Sequence, residues 1–271
     1  MKKWFAVIGD PIAHSKSPEM HNAWFAELGI DATYIPLHVT EENLATAITS
    51  LRVLGSSGFN VTIPHKEKII PLLDELDPLA KKMGAVNTVV RLADGRLKGY
   101  NTDGLGFLRS LEMVTGHKPQ AKVVILGAGG AARGIAFAMA QAGYTVTIAN
   151  RTLARAEAII AELGRGQAIT LTEVDASAYD VIIQTTSAGL SADFTLPIDV
   201  KNLRKEAFVA DIVYNPLVTP FLQAAQHQGA TIINGVGMFV NQGAIAFTHW
   251  LNETPDTKSM IASIEEQLGG N

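Results

Sequence analysis

The segment Lys122-Val123-Val124-Ile125-Leu126 runs without interruption into Gly127-Ala128-Gly129-Gly130-Ala131-Ala132-Arg133, and that turn into Gly134-Ile135-Ala136-Phe137-Ala138-Met139-Ala140-Gln141. A strand, a tight turn and a helix in direct succession leave the backbone few alternatives. Gly127 permits the turn, and Gly129 lets the backbone approach a pyrophosphate. Ala132, in the place of a third glycine, keeps helix and strand close. An anion would sit there on the free N–H groups that open the helix. Glycines also serve plain strand–helix turns, but here the flanks are right on both sides. The segment reads as a dinucleotide-binding turn.

Apolar and amphipathic segments alternate around it almost throughout. Strands are expected at Trp4–Ile8, Thr33–Val39, Gly58–Thr62 and Val86–Leu92, with helices at about Pro18–Leu28, Glu42–Leu54 and Pro64–Leu76. A second series has strands near Lys122–Leu126, Thr145–Ala149, Gln167–Leu171, Asp180–Gln184, Phe208–Ile212 and Thr231–Ile233. Its helices cover about Gly130–Gln141, Leu153–Leu163 and Pro220–His227, and two more, Phe239–Leu251 and Pro255–Leu268, close the chain. This alternation argues for an α/β fold of parallel sheets covered by helices.

With 271 residues the chain has room for two modest domains. A helix-like stretch at Asp103–Val114 and the glycines Gly235 and Gly237 mark the expected boundaries. Residues 1–103 and 238–271 then form a substrate-binding, catalytic α/β domain, and residues 104–237 a Rossmann-type, doubly wound nucleotide-binding domain.

Composition excludes several classes of function. The net charge of −4 offers no electrostatic case for nucleic acid or an anionic membrane. Zero cysteines exclude disulfides, thiolate nucleophiles and Cys-based metal sites, and suit a reducing cytosol. The seven histidines are scattered without metal-ligand spacing, so no metal site is expected. Gly9-Asp10-Pro11 breaks the first apolar run before it could form a signal-peptide core, and no apolar stretch approaches bilayer length. The expectation is a soluble, cytoplasmic protein whose partners are small molecules.

The strand after the glycine turn decides between the two nicotinamide dinucleotides. NAD sites usually present an acid about 20 residues after the first glycine, to bind the ribose 2′-hydroxyl. Here Thr145–Ala149 ends in Asn150-Arg151-Thr152, with Arg155 one helical turn on, and no acid stands there. Two guanidinium groups, an amide and a hydroxyl suit a 2′-phosphate. The plainer alternative is that Thr152 caps a helix and both arginines are solvated. The local chemistry favours NADP.

Four polar clusters stand out before residue 105: Ser15-Lys16-Ser17-Pro18, Asn60-Val61-Thr62-Ile63-Pro64-His65-Lys66, Gly84-Ala85-Val86-Asn87-Thr88 and Tyr100-Asn101-Thr102-Asp103-Gly104. Ser17 before Pro18 reads as a helix N-cap, and the two serine hydroxyls also suit a carboxylate. Lys66 would lie in the first turn of the expected helix from Pro64, facing the positive end of its dipole, a penalty of roughly 0.3–1 kcal/mol when exposed. Asp103 can be a plain N-cap. Together the clusters propose a chemistry. A hydride-transfer enzyme acting on a ketone must supply a proton to the developing alkoxide. Lys66 with Asp103 as its partner is one donor; His65 is the competing general acid, and the residues alone do not rank them.

The chain resembles the biosynthetic, NADP-dependent shikimate dehydrogenases. The matching stretches are SKSP (15–18), NVTIPHK (60–66), GAVNT (84–88), YNTDG (100–104), GAGGAAR (127–133), NRT (150–152), YNPLVTP (214–220) and GMFVNQGA (237–244), in the family's order. The resemblance implies two α/β domains, with the last helices returning to the first, and the reduction of 3-dehydroshikimate to shikimate by NADPH on the way to aromatic amino acids. It implies Lys66 as the acid–base residue, in preference to His65, and Asp103 as its partner. Ser15 and Ser17 would bind the substrate carboxylate, and Thr62, Asn87, Asp103, Tyr214 and Gln242 the ring and its hydroxyls. Gly127, Ala128, Gly129, Gly130 and Ala131 would hold the pyrophosphate; Asn150, Arg151, Thr152 and Arg155 the 2′-phosphate; and Ile212 and Gly235 the nicotinamide. The active form is expected to be a monomer or homodimer.

Three other readings compete. A quinate/shikimate dehydrogenase often uses NAD, which the Asn150–Arg155 cluster disfavours. A dehydrogenase acting on a folate carrier fits the paired serines less well than a small carboxylate does. A non-catalytic NADPH sensor on a borrowed fold would have no need of both Lys66 and Asp103.

Overall fold

The computed structural model describes residues 2–186 and 196–269. The chain divides into two compact units: residues up to Thr102 with Gln242–Met260, and Asp103–Asn241 with the residues from Ile261 on.

In the first unit the chain runs through β1 (Lys3–Gly9), α1 (Ser17–Glu27), β2 (Ala32–His38), α2 (Leu44–Val53), β3 (Gly58–Val61), β4 (Glu75–Leu76), α3 (Pro78–Met83), β5 (Thr88–Arg91) and β6 (Leu97–Tyr100). They make one six-stranded sheet in the order β2-β1-β3-β5-β6-β4. β1, β2 and β3 are parallel, as the alternation of strands and helices predicts. The rest of the sheet departs from that expectation, because β5 pairs antiparallel with both β3 and β6. The hairpin behind this turns at Asp94-Gly95: Gly95 takes φ +86°, and the Asp94 carboxylate accepts the Arg96 N–H. An Asp-Gly pair between short apolar runs is a hairpin signal. Leu44, Ile48 and Leu51 of α2 bury against Ala6, Ile8, Phe59 and Val61 on one face. The opposite face is aromatic: the Phe5 ring lies 5.5 Å from Phe25 and 4.9 Å from Trp250.

The helix expected at Pro64–Leu76 does not form. The segment is a series of turns ending in a single 3-10 turn, Ile70–Leu72, and the strand β4. Two causes are visible. Val86 N–H bonds the carbonyl of Lys66 at 2.8 Å, taking an acceptor that a helix would use at residue 70. Pro71 has no N–H, and in a helix its ring would clash with the carbonyl of Glu67. Lys66 therefore never faces a helix dipole.

The second unit contains α4 (Asp103–Thr115), β7 (Lys122–Leu126), α5 (Gly130–Gln141), β8 (Thr145–Ala149), α6 (Leu153–Leu163), β9 (Gln167–Ile169), β10 (Val181–Gln184), β11 (Phe208–Asp211), α7 (Pro220–His227) and β12 (Thr231–Ile233). The closing helices are α8 (Val236–Leu251), whose later part groups with the first unit, and α9 (Thr257–Gly269). The sheet is parallel throughout, in the order β12-β11-β10-β7-β8-β9. Counted from β7, this is the doubly wound order that binds dinucleotides where the winding reverses, between β7 and β10. Alternate residues serve opposite faces: Val123, Ile125, Val146 and Ile148 join one core, and Val124, Leu126, Ile182 and Val209 the other. Such strands, covered on both sides, are apolar at almost every position.

The segment 238–271, expected in the first domain, is shared between the units. A Cβ on Gly237 would collide with Ser110 Oγ, so the glycine lets α8 begin close to α4 without that side chain moving. Asn234 donates to Glu265 at 2.8 Å, tying α9 to the second unit.

Candidate active site

At the end of β7, Gly127 adopts φ +114°, and a Cβ there would lie 2.7 Å from Thr185 Oγ1 and 2.8 Å from Thr186 Cγ2. Glycine is needed on both counts. At Gly129 and Gly130 a Cβ would meet nothing within 4 Å, so the turn presents open backbone. Gly129 caps α5 without a side chain, and the first N–H to bond back is that of Arg133, to Gly129 O at 3.0 Å. The N–H groups ahead of it are the free donors an anion needs. Ala132 is fully buried, as close packing of helix on strand requires. Gly127, Ala128 and Gly129 thus form the turn, and Gly130 and Ala131 open the helix that follows it.

At the end of the neighbouring strand β8, Asn150 donates to the carbonyl of Thr152 at 2.8 Å and shapes the turn into α6. Thr152 occupies the N-cap position, yet its hydroxyl makes no capping bond, so the plainer role proposed for it is unfilled. Arg151 and Arg155 are exposed, the first turn of α6 carries no acid, and neither arginine enters an ion pair among the described residues. A dianion could therefore collect two guanidinium groups that no carboxylate holds. The turn and this basic strand end together fit a dinucleotide bearing a 2′-phosphate. At β11 the chain enters Ile212, whose carbonyl oxygen would be 2.2 Å from a Cβ on Gly235. Ile212 and Gly235 are thus brought together, and Tyr214 packs its ring 5.2 Å from Phe239.

The first unit gathers a buried polar chain. Asn87 is its hub: its amide NH₂ donates to Thr102 Oγ1 at 2.9 Å and to Gln242 Oε1 at 3.5 Å, and its oxygen accepts the Thr102 N–H at 2.9 Å. Asn60 donates to Asn87 O and to Thr88 Oγ1, both at 3.0 Å, and accepts from the Tyr34 hydroxyl at 2.7 Å. Burial holds the Tyr34 phenol well above its ordinary range, with the Ser17 hydroxyl pulling the other way. Two expected substrate contacts, Asn87 and Gln242, are therefore bonded to each other. Tyr34 and Asn60 lie outside the expected set. A polar Asn60 inside the otherwise apolar strand was the available signal, because a buried amide must be satisfied by something.

The capping assignment at α1 needs correction. Lys16, not Ser17, stands at the N-cap position, and Ser17 is the first helical residue. Ser15 Oγ accepts the Ser17 N–H at 3.3 Å. Thr62 follows β3, bonding its N–H to Ile8 O at 3.0 Å, and its methyl fills the space a Cβ on Gly9 would need. Lys66 is half-buried, and so is Asp103, which opens α4. His65 is fully buried, with Nε2 2.6 Å from Val39 O. A carbonyl can only accept, so Nε2 carries the proton and His65 serves the core.

A doubly wound nucleotide unit with a basic strand end, in one chain with a mixed α/β unit holding a polar cluster, defines a two-unit dehydrogenase of the NADP-using class. Comparison with known proteins narrows this. The chain matches the family models for the shikimate dehydrogenase substrate binding domain over residues 7–89, shikimate / quinate 5-dehydrogenase over 110–220, and the shikimate 5′-dehydrogenase C-terminal domain over 235–265. It is 62% identical over 276 residues to the shikimate dehydrogenase (NADP(+)) of Lysinibacillus sphaericus, covering 100% of both chains. Shikimate 5-dehydrogenase from Thermus thermophilus, solved with NADP(H) and shikimate, superposes with a TM-score of 0.89 at 36% identity, covering 97% of this chain and 99% of that one. The 5-ketofructose reductase of Gluconobacter sp. superposes with a TM-score of 0.91 at 36% identity, covering 98% and 99%. The chain belongs to the shikimate dehydrogenase family.

Proposed function

We propose that the chain catalyses the reversible, NADPH-dependent reduction of 3-dehydroshikimate to shikimate, a step of chorismate and aromatic amino acid biosynthesis. The observation that carries this is the end-to-end match to an NADP(+)-dependent relative at 62% identity. The open glycine turn and the unpaired arginines after β8 support the cofactor. When bound, NADPH supplies the hydride that reduces the ketone carbon.

The chain's own residues do the rest. Lys66 gives a proton to the oxygen on which negative charge develops, and takes it back in the reverse reaction. Asp103 holds that ammonium and accepts from a substrate hydroxyl. Ser15 and Ser17 donate to the substrate carboxylate; Thr62, Asn87, Tyr214 and Gln242 fix the ring hydroxyls. Gly127 to Ala131 cradle the pyrophosphate, and Asn150, Arg151, Thr152 and Arg155 the 2′-phosphate. Ile212 and Gly235 flank the nicotinamide. The paired serines favour shikimate over 5-ketofructose, a sugar without a carboxylate. No helix among the described residues is long and apolar enough to cross a membrane. We place the enzyme in the cytoplasm, acting as a monomer or homodimer on small molecules alone. NADP⁺ reduction with shikimate as the only added substrate tests the assignment; no turnover at any pH would sink it.

A further inference from the structure

The segment that carries Ile212 and Tyr214 is held at both ends by one buried carboxylate. Asp211, the last residue of β11, is 1% exposed, and Thr219, which caps α7, is fully buried. Asp211 Oδ1 accepts the Val213 N–H at 3.1 Å, and Oδ2 accepts the Thr219 hydroxyl at 2.9 Å. Thr219 Oγ1 in turn accepts the Leu222 N–H at 3.3 Å. An N-cap needs only the oxygen of its hydroxyl and can leave the proton to solvent. Here the proton goes to a carboxylate, closing a loop of eight residues, 212–219. Further bonds fix its first half: Ile212 N–H to Gln184 O at 3.2 Å and Gly235 N–H to Val213 O at 2.9 Å.

We propose that Asp211 is a positioning residue for the reaction, acting through Val213 and Thr219 to hold Ile212 against the nicotinamide and Tyr214 against the substrate. This rests on the functional reading above. Helix capping and core packing do not call for a carboxylate at this place. Burial pushes the Asp211 carboxyl up from its ordinary range, against the pull of its bonds from Val213 and Thr219, so holding it ionised there costs the fold free energy. What the carboxylate adds is two acceptors on one rigid group, reaching both ends of the loop.

The test compares Thr219→Val, which removes the hydroxyl, with Thr219→Ser, which keeps it, and with Asp211→Ala. Steady-state kinetics with shikimate, the primary isotope effect with NADPH deuterated at the transferred position, and the Kd of 2′,5′-ADP are measured on each. A misplaced nicotinamide or substrate slows hydride transfer, so Thr219→Val should lose roughly tenfold to a hundredfold in kcat/KM. The isotope effect should rise, Thr219→Ser should restore both, and 2′,5′-ADP, which occupies only the adenosine end, should bind as before. Unchanged kcat/KM and isotope effect in Thr219→Val would overturn the proposal. So would a fall in 2′,5′-ADP affinity by the same factor, because the unit would then be loosened as a whole. Tyr214→Phe separates the two levels: if it leaves the shikimate KM unchanged, the reading of this loop as a substrate contact fails, and the inference with it.

Discussion

His65 and Lys66 are neighbours in the chain and differ in everything that surrounds them. His65 is fully enclosed, with its ring N–H committed to the Val39 carbonyl; Lys66 is half-buried. Only the second can meet a substrate. Lys66→Ala should therefore lower kcat by roughly a hundredfold to ten-thousandfold while raising KM much less; a rise in KM with kcat unchanged would reduce Lys66 to a ligand. Arg151 tests the cofactor. With Arg151 on the 2′-phosphate as proposed, Arg151→Ala should weaken NADPH binding roughly tenfold to a hundredfold and NADH binding hardly at all. Equal weakening of both would contradict the assignment. A second histidine acts on stability. His21 is fully buried, stacked 4.4 Å from Tyr34, without a partner for either ring nitrogen, and burial lowers its pKa from 6.5 to about 3. The unfolded chain takes up this proton first as pH falls below 6.5, while the folded chain resists it down to about 3. The stability contributed by neutral His21 is therefore complete above that window and is lost through it, by up to about 1.4 kcal/mol per pH unit. His21→Phe, which keeps the stack, should flatten the fall of Tm with acid. A parallel fall in variant and parent would refute this.

At the scale of elements, the edge of the first sheet shows how a strand is kept from pairing further. β2 lies at that edge, and the outward backbone groups of its Tyr34 are covered. The Asn22 side chain from α1 accepts the Tyr34 N–H at 2.9 Å and donates to Tyr34 O at 2.9 Å, as a neighbouring strand would. Two residues on, Pro36 has no N–H to offer. Asn22→Ala exposes both groups and should cost about 1–3 kcal/mol, seen as a lower Tm and a greater tendency to aggregate; an unchanged Tm would show that the amide does not matter. Elements also show what was readable from the sequence. The second unit's strands β7, β8 and β11, each followed by turn residues and a helix, were legible because their largely apolar runs reflect burial on both faces. Pro64–Leu76 misled because helical periodicity outweighed Pro71, and because a long-range bond from Val86 to the Lys66 carbonyl leaves no local trace. The hairpin at Asp94-Gly95 did leave one.

For the molecule as a whole, motif positions were more legible than their connections. Gly127 and Asn150 stood out by residue type and place, since a tight turn and a strand end each demand particular chemistry; Asn87 stood in one of four polar clusters, and only the family resemblance gave it a role. The bonds from Tyr34 through Asn60 to Asn87 join segments far apart in the chain, and no local pattern reports them. Fold alone does not settle the substrate, because a 5-ketofructose reductase shares it at a TM-score of 0.91. The sharpest test of the assignment is a paired measurement of kcat/KM for shikimate and for quinate, each with NADP⁺ and with NAD⁺. Shikimate with NADP⁺ should be the best pair by a wide margin. Preference for quinate with NAD⁺, or no turnover of shikimate with either coenzyme, would overturn it.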